Sequence, residues 1–207
     1  MKLNKRLQTI ANMVESNSKI IDVGCDHGLL DIYLTLNKSV QCIASDVSEK
    51  CIKKTQKNIK KFHLEDKIKT IVSDGLEKID VQKIDTIIIS GMGTHTILNI
   101  LQKHFDNNLI IQSNNNLYEL RKEIIKKGYY IEKEEALLEN DIYYVVIFFK
   151  KGNKKYNDME LEFGPFMNQN KDYINYLLNK YINIYKKVTQ EDKKENLKKK
   201  IEYLSKL

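Results

Sequence analysis

A doubly wound α/β sheet is predicted for residues 1–165, with a helical hairpin over residues 166–207 as an appendage. Three observations predict it. Short apolar runs alternate with segments of helical period as far as Gly128, the pattern of repeated β-α units. Two β-rich runs then follow one another across a turn. Beyond Pro165, the single proline, the period becomes helical throughout.

Each element has its own signal. Leu3, Leu7, Ile10 and Met13 or Val14 recur at helical spacing, so an amphipathic helix opens the chain. KIIDV is a buried strand, LLDIYLTLN a helix and VQCIAS a second strand. Ser48 caps a helix that runs to about Lys61, and IKTIVS is the third strand. IDTIIIS is the most hydrophobic run, as a central parallel strand covered on both faces should be. A helix near 94–104, the strand LIIQS and a helix over 117–127 continue the series. YYIEKEEALLE and IYYVVIFFK form a hairpin about Glu139-Asn140-Asp141, which adds at least one antiparallel strand. Residues 150–158 read as a polar linker. Ile174, Leu177, Leu178, Tyr181, Ile182, Tyr185 and Val188 make one helical stripe; Leu197, Ile201 and Leu204 make another. Thr189, with Asp192 three residues on, is the expected cap between them. Two antiparallel helices are favoured because each stripe needs the other to hide it, although no Gly or Pro forbids one continuous helix.

Composition narrows the function. No apolar run reaches transmembrane length and no secretory leader opens the chain, so a soluble cytoplasmic protein without membrane association is expected. Cys25, Cys42 and Cys51 have neither CxxC nor zinc spacing and are expected as reduced thiols; no metal site is predicted. The net charge of +7 is uneven: residues 171–207 hold ten lysines against five acids, +5 of the total. A basic tail on a near-neutral domain points to a polyanion, with a solvated helix face as the competing reading. Lys5, Arg6 and Arg121 are candidates to extend that surface.

The chemistry concentrates at the strand ends. Ligands of doubly wound sheets bind beyond the carboxyl ends of strands, and IIDVGCDHGLLD puts a glycine turn there. Asp22-x-Gly24-x-Asp26-x-Gly28 resembles a dinucleotide fingerprint whose middle glycine has become a carboxylate. A charged side chain at that position crowds and repels a pyrophosphate, and the Gly-Lys-Ser/Thr of a P-loop is missing. A ligand with an amino-acid carboxylate, a cationic centre and a nucleoside fits better, and S-adenosylmethionine has all three. Asp46, 22 residues beyond Gly24, is placed to accept from ribose hydroxyls. Asp74 with Gly75 after the third strand offers a carboxylate to an adenine amino group. Gly91-Met92-Gly93 ends the fourth strand and permits close approach to the reactive centre. His27 is read as a partner of Asp26, the substrate edge or the cofactor; His95 begins a helix, and His63 and His104 lie on the surface.

DVGCDHGLL, together with SGMG and the late hairpin, resembles the bacterial tRNA adenine-N1-methyltransferases that modify adenosine 22. The matches are Asp22, Gly24, Asp26, His27, Gly28 and Leu30; Ser45-Asp46; Asp74-Gly75-Leu76; Gly91-Met92-Gly93; and Gln112 with Asn114. LLENDIYYVVIF and the FGP at 163–165 are also similar to family segments. Asp31 stands where the family has proline, Thr94 where it has a second glycine, and Ser113 where it has the proline of Q-P-N. The resemblance implies a Rossmann-like class I methyltransferase sheet with a C-terminal coiled hairpin, and methyl transfer from S-adenosyl-L-methionine to N1 of a tRNA adenine. No metal is required; the oligomeric state is left open, a monomer being compatible with this reading. On this reading Asp22, Gly24, Asp26, His27, Gly28, Asp46, Asp74, Gly75, Gly91, Met92 and Gly93 hold the cofactor. Asp26, His27 and Asn114 act at the adenine, and Gln112 with Asn114 faces the substrate. Lys186, Lys187, Lys193, Lys194, Lys198, Lys199 and Lys200 meet tRNA phosphates. Two rivals remain: a methyltransferase acting on a small molecule or protein, and a non-catalytic RNA-binding module.

Overall fold

The apolar runs assemble into one seven-stranded sheet, described by a computed structural model covering all residues Met1–Leu207. The strands are β1 (Lys19–Val23), β2 (Gln41–Asp46), β3 (Ile68–Val72), β4 (Thr86–Met92), β5 (Asn108–Ser113), β6 (Tyr129–Glu139) and β7 (Ile142–Lys151). Their order is β3-β2-β1-β4-β5-β7-β6, with β1 to β5 parallel and β7 antiparallel to both its neighbours. Strand order therefore reverses between β1 and β4, which opens a crevice beyond their carboxyl ends.

Alternation along the strands makes two cores. Ile21, Ile87, Ile89 and Ile111 face one layer, while Ile20, Ile88 and Ile110 face the other, all fully buried. Helices cover both faces: α1 (Lys5–Met13), α2 (Leu29–Lys38), α3 (Glu49–Lys61), α4 (Thr94–Ile100) and α5 (Leu117–Lys126). Ser48 caps α3 by accepting from the Cys51 amide, as expected. The helix expected to reach residue 104 stops at Ile100. At the β6–β7 turn, Asn140 and Asp141 both take positive φ (50° and 61°), the left-handed pair that suits the twist of a hairpin.

The polar linker holds over residues 152–157, between the end of β7 and a helix that the sequence did not announce. Residues Asp158–Phe163 form α6, started by a capping box in which Asn157 and Glu160 satisfy each other's amides. Two helices then fold back on each other, α7 (Lys171–Tyr185) and α8 (Glu191–Leu204). The expected Thr189 cap is displaced by one: Gln190 takes the position, with no side-chain bond. Phe163 joins the pair to the sheet, edge-on to Tyr181 at 5.6 Å and stacked with Tyr203 at 5.8 Å.

Arg121 does not extend a basic surface. It is fully buried, and its Nη2 and Nε donate to Glu134 Oε1 at 2.6 and 2.8 Å. Its Nη1 donates to the carbonyls of Leu161 and Glu162 at the end of α6. One side chain thus ties α5, β6 and α6 together. Gly164 takes φ 97° against Glu134 Oε2, where no Cβ fits.

Candidate functional site

The loop after β1 is bent over β2 by its own backbone. The amides of Gly24 and Cys25 both donate to the Ser45 carbonyl, at 2.8 and 2.9 Å. Gly24 takes φ 81°, a conformation that favours glycine, and the Met92 methyl fills the space where a Cβ would stand. Asp26 follows at φ 51°, left-handed without being glycine. Such a conformation persists only when its surroundings hold it. They do. The Asp26 amide donates to Asp46 Oδ2 (3.2 Å), Thr55 Oγ1 donates to the Asp26 carbonyl (3.0 Å), and Asn58 Nδ2 donates to the His27 carbonyl (2.9 Å). α3 thus clamps the loop from below. The Asp26 carboxylate is left 71% exposed, with His27 Nδ1 3.4 Å from its Oδ1. Asp46 also accepts from the Ser48 amide at 2.8 Å, which fixes its carboxylate at the rim.

Across the crevice, β4 ends in an irregularity between Ser90 and Met92 that leaves Gly91 at φ 78°. Gln112 Oε1 accepts from the Gly91 amide (3.0 Å) and from Arg6 Nη1 (2.8 Å), while its Nε2 donates to Asn114 Oδ1 (3.1 Å). Asn114 Nδ2 in turn donates to the Gly91 carbonyl at 2.8 Å. The expectation that Gln112 faces substrate is corrected: it is fully buried, and both ends of its amide are bound internally. Asn114 stays exposed, aimed by Gln112 and Gly91. Arg6, read from the sequence only as surface charge, lies beneath this loop; its spacing on α1 gave no sign of that.

The two substitutions in this loop touch each other. Thr94 Oγ1 and Ser113 Oγ are 2.9 Å apart, and both hydroxyls reach the Asn115 carbonyl, at 2.7 and 2.9 Å. The Thr94 amide donates to Asn115 Oδ1 at 2.9 Å. A hydrogen-bonded knot replaces the stiffness that a proline would give.

Negative charge gathers along this edge. Asp22 is buried, and burial, followed by the charges of Asp31 and Asp46, pushes its pKa well above the carboxylate range, with Arg6 acting in the opposite sense. Burial pushes Asp31 up to about 7, and neither of its carboxylate oxygens has a hydrogen-bond partner. Asp74 follows β3, next to β2, and stays exposed, while Gly75 takes φ 52° against Ile100. The structure therefore brings Asp22, Asp26, Asp46, Gly24, Gly28, Gly91, Met92 and Gly93 to the β1–β4 crevice, with Asp74 and Gly75 further along the same edge. This set fits a cationic nucleoside: glycine turns at the ends of β1 and β4, an exposed Asp26 carboxylate, and a rim carboxylate, Asp46, held by amides.

Comparison with known proteins agrees with that geometry. A family model described as a methyltransferase domain matches residues 3–147. The chain is 33% identical over 135 residues to a tRNA (adenine(22)-N(1))-methyltransferase of Bacillus subtilis (strain 168), covering 62% of this chain and 57% of that relative's length. The structure of M. capricolum TrmK in complex with S-adenosyl-homocysteine matches with a TM-score of 0.85 and 30% identity, over 100% of this chain and 97% of that one. The chain belongs to the methyltransferase domain family, among its TrmK-type members. The B. subtilis m1A22 tRNA methyltransferase TrmK matches at a TM-score of 0.80 with 27% identity, over 99% and 95% of the two chains.

As a TrmK-type methyltransferase, the chain carries its basic surface in two places. Of the seven C-terminal lysines predicted to meet phosphate, Lys194 pairs with Glu191 (3.8 Å), Lys199 with Glu195 (2.8 Å) and Lys200 with Glu162 (2.6 Å). Lys186, Lys187, Lys193 and Lys198 are exposed and unpaired. The denser patch lies on α3, with six exposed lysines against one glutamate, beside the Asp26 loop. Its signal, EKCIKKTQKNIKK, is legible in the sequence, but the near-neutral charge of the whole domain masks it. No helix is long and apolar enough to cross a membrane.

Proposed function

We propose that the chain transfers a methyl group from S-adenosylmethionine to N1 of adenosine 22 in tRNA. The observation that carries this reading is the crevice at the strand-order reversal, which receives the exposed Asp26 carboxylate from the loop after β1 and Asn114, bonded to the Gly91 carbonyl, from the loop after β5. Residues 1–165 act as the catalytic domain, and the helix pair beyond them as an RNA-binding appendage.

S-adenosylmethionine supplies a methyl group already activated on a cationic sulfur. The chain's own residues have to hold, orient and stabilise. The Gly24–Gly28 turn, Asp46, Asp74 and the Gly91–Met92–Gly93 segment would hold the cofactor, Asp46 through its ribose hydroxyls and Asp74 through its adenine amino group. Asp22 and Arg6 set the charge beneath. With the cofactor bound, N1 of neutral adenine would take the methyl through its in-plane lone pair, the sulfur would leave with the bonding pair as a neutral thioether, and the positive charge would pass to the ring. The exposed Asp26 carboxylate favours that developing charge, with His27 as its positioning partner. Asn114 meets the Watson–Crick edge without covering N1. That edge is hidden in a paired helix, so the adenosine has to be turned outward. Lysines of α3 and the unpaired lysines 186, 187, 193 and 198 contact backbone phosphates and carry no base specificity.

The test is incubation with labelled S-adenosylmethionine and unmodified tRNA, followed by nucleoside mapping. N1-methyladenosine at position 22 is the expected product. Label on a small molecule or protein but not on tRNA, or tRNA binding without transfer, overturns the reading.

A further inference from the structure

Beside the Asn114 loop a groove of about 430 Å³ runs between β7, α5 and α7. Its lining includes Asn114, Tyr118, Tyr143, Tyr173, Tyr176 and Lys180. Three of these form an aromatic cluster. Tyr143 lies 5.0 Å from Tyr173 and 4.7 Å from Tyr176, centroid to centroid and tilted to both, while Tyr173 and Tyr176 are nearly parallel at 6.3 Å. The cluster is anchored in the core through buried Tyr173 and ends in Tyr176, which is 43% exposed. Aromatic side chains that reach solvent in a groove are the platforms on which nucleobases stack, whatever the base.

We propose that this groove is a second nucleotide subsite, which takes an unpaired base adjoining the target adenosine and stacks it on the Tyr143–Tyr176 pair. The proposal rests on the tRNA reading above and deepens it. Continuity supports it, because Asn114 belongs both to the groove and to the loop that faces the target. Charge supports it too. Lys180 supplies a cation for the phosphate of the stacked nucleotide, and the one acid in the lining, Glu162, is engaged by Lys200 Nζ and the Tyr181 hydroxyl. The volume falls within the range of small-molecule sites, enough for a base with its ribose. An adenosine turned out of a loop drags its neighbours with it, and a platform beside the catalytic loop holds the strand in that splayed form.

The experiment uses the full chain and tRNA transcripts carrying 5-iodouridine at one or other nucleotide next to the target. Irradiation should attach one of these transcripts to Tyr143 or Tyr176, as mapped by peptide mass spectrometry. Tyr176→Ala should raise KM for tRNA about tenfold, the scale of one base–aromatic stack, with kcat and S-adenosylmethionine affinity unchanged. Tyr176→Phe should restore the wild-type KM. Adducts confined to other residues, or an unchanged KM in Tyr176→Ala, overturn the subsite while wild-type methylation continues. If the wild type forms no N1-methyladenosine at all, the functional reading fails first and the subsite falls with it.

Discussion

Two helices in this chain are rich in lysine, and they are built differently. α3 has six lysines against one glutamate, and its buried face bonds the loop that carries Asp26 and His27. α8 has five lysines against four acids, and its anchors are Glu162 and the aromatic contacts of Phe163. One helix is strongly charged and mechanically joined to the reaction loop. The other is nearly self-neutralised and joined to the appendage. The lesson is that the number of lysines in a segment measures its electrostatic reach poorly. What counts is how many acids share the helix and what the opposite face holds.

The largest effect should come from cutting the appendage's root. Arg121→Ala leaves the Glu134 carboxylate buried without its partner and frees the end of α6; breaking such a pair costs about 3–5 kcal/mol. Chemical denaturation should show this loss, and a loss below about 1 kcal/mol would mean that α6 and the helix pair are held by other contacts. Next, Asp26→Ala removes the carboxylate that α3 presents and should lower kcat for tRNA about a hundredfold or more, roughly 2.7 kcal/mol, with cofactor affinity little changed. A rate near wild type would detach α3 from the chemistry.

The lysines themselves are the direct comparison. Changing Lys50, Lys54, Lys57 and Lys60 to Gln should weaken tRNA binding about tenfold at physiological salt and flatten the salt dependence of log K by roughly 0.7–0.9 for each phosphate no longer neutralised. The matched set Lys186, Lys187, Lys193 and Lys198 to Gln should cost about threefold. The reverse ranking, read by binding titrations at two salt concentrations, would return the leading role to the appendage.

An effect of a different kind, read by pH, lies in the first turn of α2. Asp31 has a folded pKa of about 7 against roughly 3.9 when unfolded, so the folded state binds the extra proton between those values. Its contribution to stability is therefore lost as pH rises from about 4 to 7 and is flat above. Asp31→Asn should narrow the gap in Tm between pH 5 and pH 8 by about 5–10 °C, the equivalent of roughly 2–3 kcal/mol. An unchanged gap would mean that Asp31 is ionised or solvated in the folded protein.

The sheet was legible in the sequence because its signals are local. Ile87–Ile89 can only be a central strand, and Asn140-Asp141 can only turn a hairpin. α6 escapes the sequence because DMELEF, at six residues, is too short to show a helical period, yet the capping pair Asn157 and Glu160 stands at the right spacing. In the site, the acids and glycines at the strand ends were legible from their position after apolar runs. Arg6, Arg121 and Gln112 were not. Each is a polar residue whose direction depends on partners more than a hundred residues away or on another element, and hydrophobic period says nothing about that.

The Thr94–Ser113 contact has a consequence for how the loop tolerates damage. Each hydroxyl keeps the Asn115 carbonyl when the other is lost, so the brace is redundant. Thermal unfolding should show Thr94→Ala and Ser113→Ala each costing less than half of what the double change costs, a spare tie that fails only when both strands of it are cut.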